Sequence, residues 1–314
     1  MSDEITLLVN PTAGGGRGAR AAEPVTRILQ DAGHRVRALQ GRDVPEALEL
    51  AHRSVAEGTG ALVAVGGDGM ISLALQAVAG TSTPLGVVAV GTGNDIARSL
   101  GLPVRDPEGS ARLLARAADA GEGRRIDLGR TVPGDGVPGQ WFASVLAAGF
   151  DSRVNDRGNR MRLPLGRFKY DLAILAELAA FRPIPYRLTL DDGPTEELEA
   201  TLIAVGNGPS YGGGMRICAD ASYDDGLFDL TVVGECGRGT LLRVFPRVYS
   251  GTHLSHPVVT VRRARRVRVE AALPEGQTLS GYADGDRLGV LPLTVECVAG
   301  AVTVLGAGEP RPGE

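Results

Sequence analysis

A chain of 314 residues with 43% hydrophobic content is long enough for two domains of ~150 residues each and for a sizeable core. The formal charge of −4 leaves no global basic field, which argues against nucleic acid as a partner. Aromatic residues make up only 4%, so apolar contact with a partner falls mainly to aliphatic side chains. Ile5 to Val9 reads as a short strand that ends in Asn10-Pro11 and a Gly-rich turn. A helix over 19–32, a strand over 35–39, a helix over 44–57 and the apolar strand 61–65 follow. Gly66-Gly67-Asp68-Gly69 then opens a helix to about Val78. A strand at 85–90 ends in Gly91-Thr92-Gly93-Asn94-Asp95, with a helix over about 95–100. Strands that are apolar throughout and alternate with helices imply a doubly wound, mostly parallel sheet covered on both faces.

The pattern changes near Ile126. Most later segments read as β runs, at 141–147, 186–191, 199–206, 227–233, 258–262, 266–271, 278–283, 294–298 and 301–305. Two helical stretches, at about 164–181 and 238–249, interrupt them. The expected organisation is an α/β domain over 1–127, a β-rich, sandwich-like domain over 128–305, and a disordered Gly/Pro/Glu tail over 306–314.

Three Gly-rich turns follow strands of the first domain, and in a parallel sheet the strand C-termini share one edge, where ligands bind. Glycines there let backbone N–H groups approach phosphate oxygens, aided by helix N-termini. One such turn is as well explained by tight geometry. Three, two of them carrying an aspartate, point to a nucleotide site. Lys169 is the single lysine, so no GxxxxGK[ST] loop exists and phosphate must be met by amides and arginine. The three cysteines, Cys218, Cys236 and Cys297, have no CxxC spacing and support neither a zinc site nor a disulfide framework. No run nears the ~18 apolar residues of a membrane span and no signal peptide is evident, so a cytoplasmic chain is expected.

The ordered motifs resemble the bacterial diacylglycerol kinase family, which includes sphingosine and ceramide kinases. They are Asn10-Pro11 with the following glycines, Gly66 to Gly69, Gly91 to Arg98, Ala147-Ala148-Gly149-Phe150-Asp151 and Gly206-Asn207-Gly208 with Tyr211 to Met215. Asp224-Asp225-Gly226-Leu227-Phe228-Asp229 and Asp284-Gly285-Asp286 complete the series. The GGDG turn alone also resembles NAD kinases and phosphofructokinases; the series continuing into the β-rich half is more specific. The resemblance implies an NAD-kinase-like first domain and ATP held between the domains. The nucleotide would contact Asn10, Pro11, Thr12, Ala13 and Gly14, then Gly66 to Met70, and Thr92 with Gly93. Asp68 would lie by the phosphates and Mg2+, while Asn94 and Asp95 would hold the second turn. Asp225, with carbonyls near Ser222 and Leu227, would form a second, mainly structural magnesium site. The family's general base is a Glu in the place of Asp286; Asp284, two residues before it, would share its strand face. A bare Asp-Gly hairpin turn is the competing reading of that segment. Met70 replaces the usual Thr, Gly15 the usual lysine with Arg17 as a substitute, and Asp286 is one methylene shorter than Glu.

The resemblance also makes Asp151, at the end of the Ala-Ala-Gly-Phe-Asp segment, a candidate contact for the substrate headgroup. The stretch Arg157 to Tyr170 mixes basic and apolar residues, which suits ordinary packing and equally a lipid mouth at an anionic membrane. Arg262, Arg263, Arg265, Arg266 and Arg268 read as a solvated strand face, with lipid headgroups as the alternative. His253 and His256 read as surface or loop histidines. The expected activity is transfer of the γ-phosphoryl of ATP to a lipid hydroxyl, most directly diacylglycerol, at a membrane surface. Another lipid alcohol such as sphingosine, a nucleotide- or lipid-binding regulator without turnover, and a homodimer remain open.

Overall fold

The computed structural model describes residues 4–134, 139–149 and 183–308. Strands β1 (Glu4–Val9), β2 (Arg35–Leu39), β3 (Ala61–Gly66) and β4 (Leu85–Ala89) pair in parallel in the order β2-β1-β3-β4. Successive side chains point to opposite faces, so Leu8, Leu62 and Ala64 pack on α2 (Val44–Ala56) and α3 (Asp68–Val78). Leu7, Val63 and Val65 pack instead on α1 (Ala13–Asp31) and on a helix over Pro107–Ala120. A short helix, α4 (Asp95–Ser99), follows β4, and the helix over Pro107–Ala120 is α5.

Sequence patterning assigns no element to 101–125, although α5 has clear signals. Asp106 caps it by accepting from the Gly109 N–H at 2.9 Å, Pro107 opens the first turn, and Gly121 ends it in the left-handed region. Helix α1 starts before residue 19 because Thr12 leads into Gly14, Gly15 and Gly16, all at positive φ, before the regular helix begins.

The β-rich half comprises β5 (Gly123–Thr131), β6 (Trp141–Phe142), β7 (Val145–Gly149), β8 (Ile184–Leu190), β9 (Glu196–Gly206) and β10 (Phe228–Gly234). Beyond them come α6 (Arg238–Val244), β11 (Val259–Ala264), β12 (Arg266–Ala271), β13 (Ser280–Ala283), β14 (Asp286–Val290) and β15 (Leu293–Leu305). Its core joins Tyr186, Leu188, Ile203, Leu230 and Val267 to Phe142 and Phe228, whose rings stack at 5.9 Å. The runs expected at 294–298 and 301–305 are one strand, β15, with an irregularity between Val298 and Val302. β15 lies antiparallel to β12 and β5 and meets β4 in parallel at Val304 and Leu85. The last strand therefore closes the first sheet, and β5 spans residue 127.

The helix expected over 238–249 ends at Val244 and tightens to a 3-10 turn over Phe245–Val248, because Pro246 has no N–H to continue the ladder. His253 is fully buried with Nε2 3.0 Å from the Ile217 carbonyl oxygen, which corrects its reading as a surface or loop residue. The helix expected at 164–181, the stretch Arg157 to Tyr170 and Asp151 lie outside the described residues. Among the described residues no helix is long and apolar enough to cross a membrane.

Candidate active site

The three Gly-rich turns leave the C-terminal ends of β1, β3 and β4 and meet. Asn10 Oδ1 accepts from the Thr12 N–H at 3.1 Å and hydroxyl at 2.9 Å, which bends the chain off β1. Arg17 then reaches across, donating from Nε to the Val90 carbonyl at 2.9 Å and from Nη2 to the Gly91 carbonyl at 2.8 Å. Its guanidinium thus ties the first turn to the third. Gly67 and Gly91 touch backbone to backbone; a Cβ on Gly67 would stand 3.1 Å from the Gly91 Cα, and a Cβ on Gly91 would collide with the Gly67 Cα. Gly69 faces open space, and no side chain caps the N-terminus of α3. Thr92 is exposed, Gly93 is half-buried, and Pro11, Thr12 and Gly14 lie along the same edge. Ala13 is buried, and Met70 sits in the core beneath Gly66, so its side chain faces away from the open edge.

Asp68, Asn94 and Asp95 fix the third turn. The Asn94 N–H donates to Asp68 Oδ2 at 2.7 Å and the Ile96 N–H to Asp68 Oδ1 at 3.1 Å. Asn94, left-handed at φ 59°, exchanges hydrogen bonds with the Gly91 backbone at 2.8 and 3.1 Å. Asp95 pairs with Arg98 at 3.0 Å and accepts from the Gly213 N–H at 2.6 Å, joining the turn to the second half. Burial raises Asp68 above the usual carboxylate range against its two backbone donors, and the charges of Asp95 and Asp284 add to the rise.

Asp284 and Asp286 do not share a strand face. β13 ends at Ala283, β14 starts at Asp286, and Asp284-Gly285, both at positive φ, form the two-residue turn between them. The Asp284 carboxylate is buried and accepts from the Ala143 N–H at 2.7 Å, the Ser144 N–H at 2.9 Å and the Ser144 hydroxyl. Burial is the main cause of its raised pKa. Asp286 is exposed, and its carboxylate has no hydrogen bond or ion pair among the described residues. Partial loss of water and then the charge of Asp284 raise its pKa above the ordinary carboxylate value.

Three groups that the motifs do not single out complete the site. Ser144 holds Asp284, and its carbonyl accepts from the N–H groups of Asn207 and Gly208, each at 2.9 Å. Ser99 and Ser210 meet at 3.1 Å across the two halves. Tyr223 buries its hydroxyl against Gly208, and burial followed by the charge of Asp284 pushes its pKa up, with Asp68 and Asp95 contributing. No periodicity flags these residues, because their partners lie far away in sequence.

The excess of carboxylates bears on metal binding. Asp68 and Asp284 have no cationic partner among the described residues, and only Asp95 has one, Arg98. Among the described residues no three acidic or histidine side chains converge as a ready-made metal site, so a divalent cation would have to arrive with a polyphosphate that completes its ligands. The set expected around Asp225 does not fit an ion as it stands. The Asp225 carboxylate accepts from the Leu227 N–H at 3.0 Å and from Arg263, while the Ser222 hydroxyl donates to Asp224 at 2.6 Å. An ion there would have to displace Arg263.

Residues 4–131 match the family described as the diacylglycerol kinase catalytic domain, and residues 144–306 match the YegS C-terminal NAD kinase beta sandwich-like domain. The chain belongs to the diacylglycerol kinase family. A diacylglycerol kinase of Mycobacterium tuberculosis strain H37Rv is 43% identical over 304 residues, 96% of this chain and 94% of that one. A solved structure of a putative diacylglycerol kinase from Bacillus anthracis superposes with a TM-score of 0.74 at 22% identity, covering 99% and 98% of the two chains. An NAD kinase from Archaeoglobus fulgidus, solved in complex with ATP, shares the fold with a TM-score of 0.52 at 14% identity, covering 97% and 93%. The NAD-kinase-like α/β half and the β-rich half of this lipid kinase family member are thus those its motifs imply.

Proposed function

We propose that this chain transfers the γ-phosphoryl group of ATP to the hydroxyl of a lipid alcohol, with diacylglycerol as acceptor and phosphatidic acid as product. What supports the reading is that two unlike surfaces lie on either side of the junction between the halves. The open, uncapped amides of α3 and the glycine turns face it from one half, and the Asp284–Asp286 hairpin faces it from the other. The halves are tied together here: the Gly213 N–H donates to Asp95 at 2.6 Å and Ser99 lies 3.1 Å from Ser210.

In this reading the phosphates lie against the amides of residues 10–14 and 66–70, with Thr92, Gly93, Asn94 and Asp95 forming the third side. ATP as donor agrees with the family and with the ATP-bound NAD kinase of the same fold. Asp68 positions the third turn through two amides and keeps lone pairs for a magnesium ion. A magnesium ion held there with the phosphates would supply positive charge for the transferred group. Asp286 takes the proton of the lipid hydroxyl as it attacks; its raised pKa makes it a better base than an ordinary carboxylate. Asp284 positions Asp286 through the turn and anchors the turn on Ala143 and Ser144, the link between β6 and β7. Asp151 is proposed to touch the lipid headgroup. The chain divides near β5 into a nucleotide unit and an acceptor unit, and it works as a peripheral enzyme on the cytoplasmic side of a membrane.

Incubating the protein with γ-labelled ATP, magnesium and mixed micelles that each carry one lipid alcohol tests this. Label in diacylglycerol is the expected result. Label in sphingosine alone would move the assignment to a long-chain base, and ATP binding without label in any lipid would overturn the kinase reading.

A further inference from the structure

No Asp or Glu occurs between Glu235 and Glu270, while arginines recur. Within this span α6 and its 3-10 continuation bury Leu241, Val244 and Val248 against Val145, Leu202 and Val233. The opposite stripe should be polar. Instead Leu242 is 56% exposed, Tyr249 is 53% exposed, Pro246 is exposed and Phe245 is half-buried. Leu242, Phe245 and Pro246, at i, i+3 and i+4, lie on one side of the helical segment, and Tyr249, past the 3-10 turn, joins them by packing edge to face on Phe245 at 6.4 Å. Arg238 and Arg243 are exposed beside the stripe, and their guanidinium groups make no hydrogen bond or ion pair among the described residues.

We propose that this outer face of α6, with Leu242, Phe245 and Tyr249 flanked by Arg238 and Arg243, is the surface that docks the enzyme on an anionic membrane. An apolar stripe with flanking cations and a tyrosine at its margin is what an interfacial helix presents to lipid. The charge argues for lipid rather than for the same face of a second copy, since the free arginines call for anions. The arginine-rich strand is a poorer candidate, because Arg262 pairs with Glu196 at 2.6 Å, Arg263 with Asp225, and Arg268 donates to Thr294 at 3.2 Å.

The patch also adjoins the cleft. The Val248 carbonyl accepts from the Arg216 N–H at 3.0 Å, and the same loop donates the Gly213 N–H to Asp95. At its other end the Gly234 carbonyl, just before α6, accepts from Thr201, which lies against Gly149 at the end of β7. This inference rests on the lipid-kinase reading only for its purpose, not for its geometry.

The test is sedimentation with vesicles of phosphatidylcholine, with and without phosphatidylglycerol. Wild type is compared with Arg238→Gln/Arg243→Gln, with Leu242→Ser/Tyr249→Ser, and with Val44→Ser, which alters an exposed apolar residue on the other half. Removing two cations from an anionic surface should weaken binding on the order of thirtyfold. The apolar pair should weaken it comparably, and Val44→Ser should bind as wild type. Both double variants should phosphorylate diacylglycerol in vesicles poorly while retaining turnover of a short-chain, water-soluble diacylglycerol. Unchanged vesicle binding by both double variants overturns the proposal. So does a wild-type dimer that Leu242→Ser/Tyr249→Ser converts to monomer with vesicle binding intact, since the patch is then a contact between copies. Loss of vesicle binding in a protein that phosphorylates no diacylglycerol in any form would keep the surface and reject the lipid-kinase reading instead.

Discussion

Two aspartates separated by one glycine do different work. Asp284 is taken up by the Ala143 and Ser144 donors, whereas the Asp286 carboxylate is exposed and without a partner among the described residues. Replacing Asp284 with Ala strips buried N–H groups of their acceptor, at about 1–3 kcal/mol each, so the melting temperature should drop. Asp284→Asn keeps an acceptor but removes the charge. Asp286 acts as a base only when ionised, and both named causes raise its pKa. Activity should therefore rise with pH along an acidic limb centred above ~3.9, the ordinary Asp value. In Asp284→Asn the limb should move to lower pH, because a negative neighbour has gone. A pH profile of kcat/KM with an unmoved limb would remove Asp284 as the tuning charge.

The glycine turns were legible in the sequence because their requirement is a backbone one, which residue type alone reveals. What each turn residue does was less so. Asp68 reads as a phosphate neighbour, yet its oxygens take amides of a turn 26 and 28 residues later. Tyr223, Ser144 and the true use of Asp284 were hidden for the same reason, since their partners meet only in the folded chain. Gly67, Gly69 and Gly91 separate turn geometry from ligand approach. Gly91→Ala meets the Gly67 backbone, which cannot yield, so both the melting temperature and ATP affinity should fall. Gly69→Ala has open space and gains about 1 kcal/mol of helix propensity. Its melting temperature should hold or rise while ATP affinity falls, as the methyl stands where a phosphate would approach. Calorimetric titration with ATP alongside a thermal melt distinguishes the two; an unaltered affinity in Gly69→Ala would argue that phosphate does not use the α3 terminus.

For the whole molecule, β15 matters most. The alternation of apolar strands and helices makes the first sheet legible, and the run of β segments marks the second half. That the final strand returns to β4 and β5 is not written in any local pattern. Leu293–Leu305 covers β5 along nearly its whole length and inserts Val302 and Val304 beside Ile126 and Leu128. A fragment of residues 1–131 would expose that face, together with the β5 edge. It should therefore lack cooperative unfolding by circular dichroism, and the full chain should unfold in one transition. A fragment with a sharp melt of its own would mean that the first half is autonomous and that β15 only docks onto it.

The assignment of Asp286 as the group that takes the lipid proton is the centre of the account, and one measurement addresses it directly: turnover of labelled ATP onto diacylglycerol by wild type and by Asp286→Asn, with ATP affinity measured on both. Loss of a general base predicts a fall of about 10²–10⁴-fold in kcat with ATP affinity and melting temperature preserved. Near wild-type turnover in Asp286→Asn would contradict the account, and the base would then have to be sought elsewhere around the cleft.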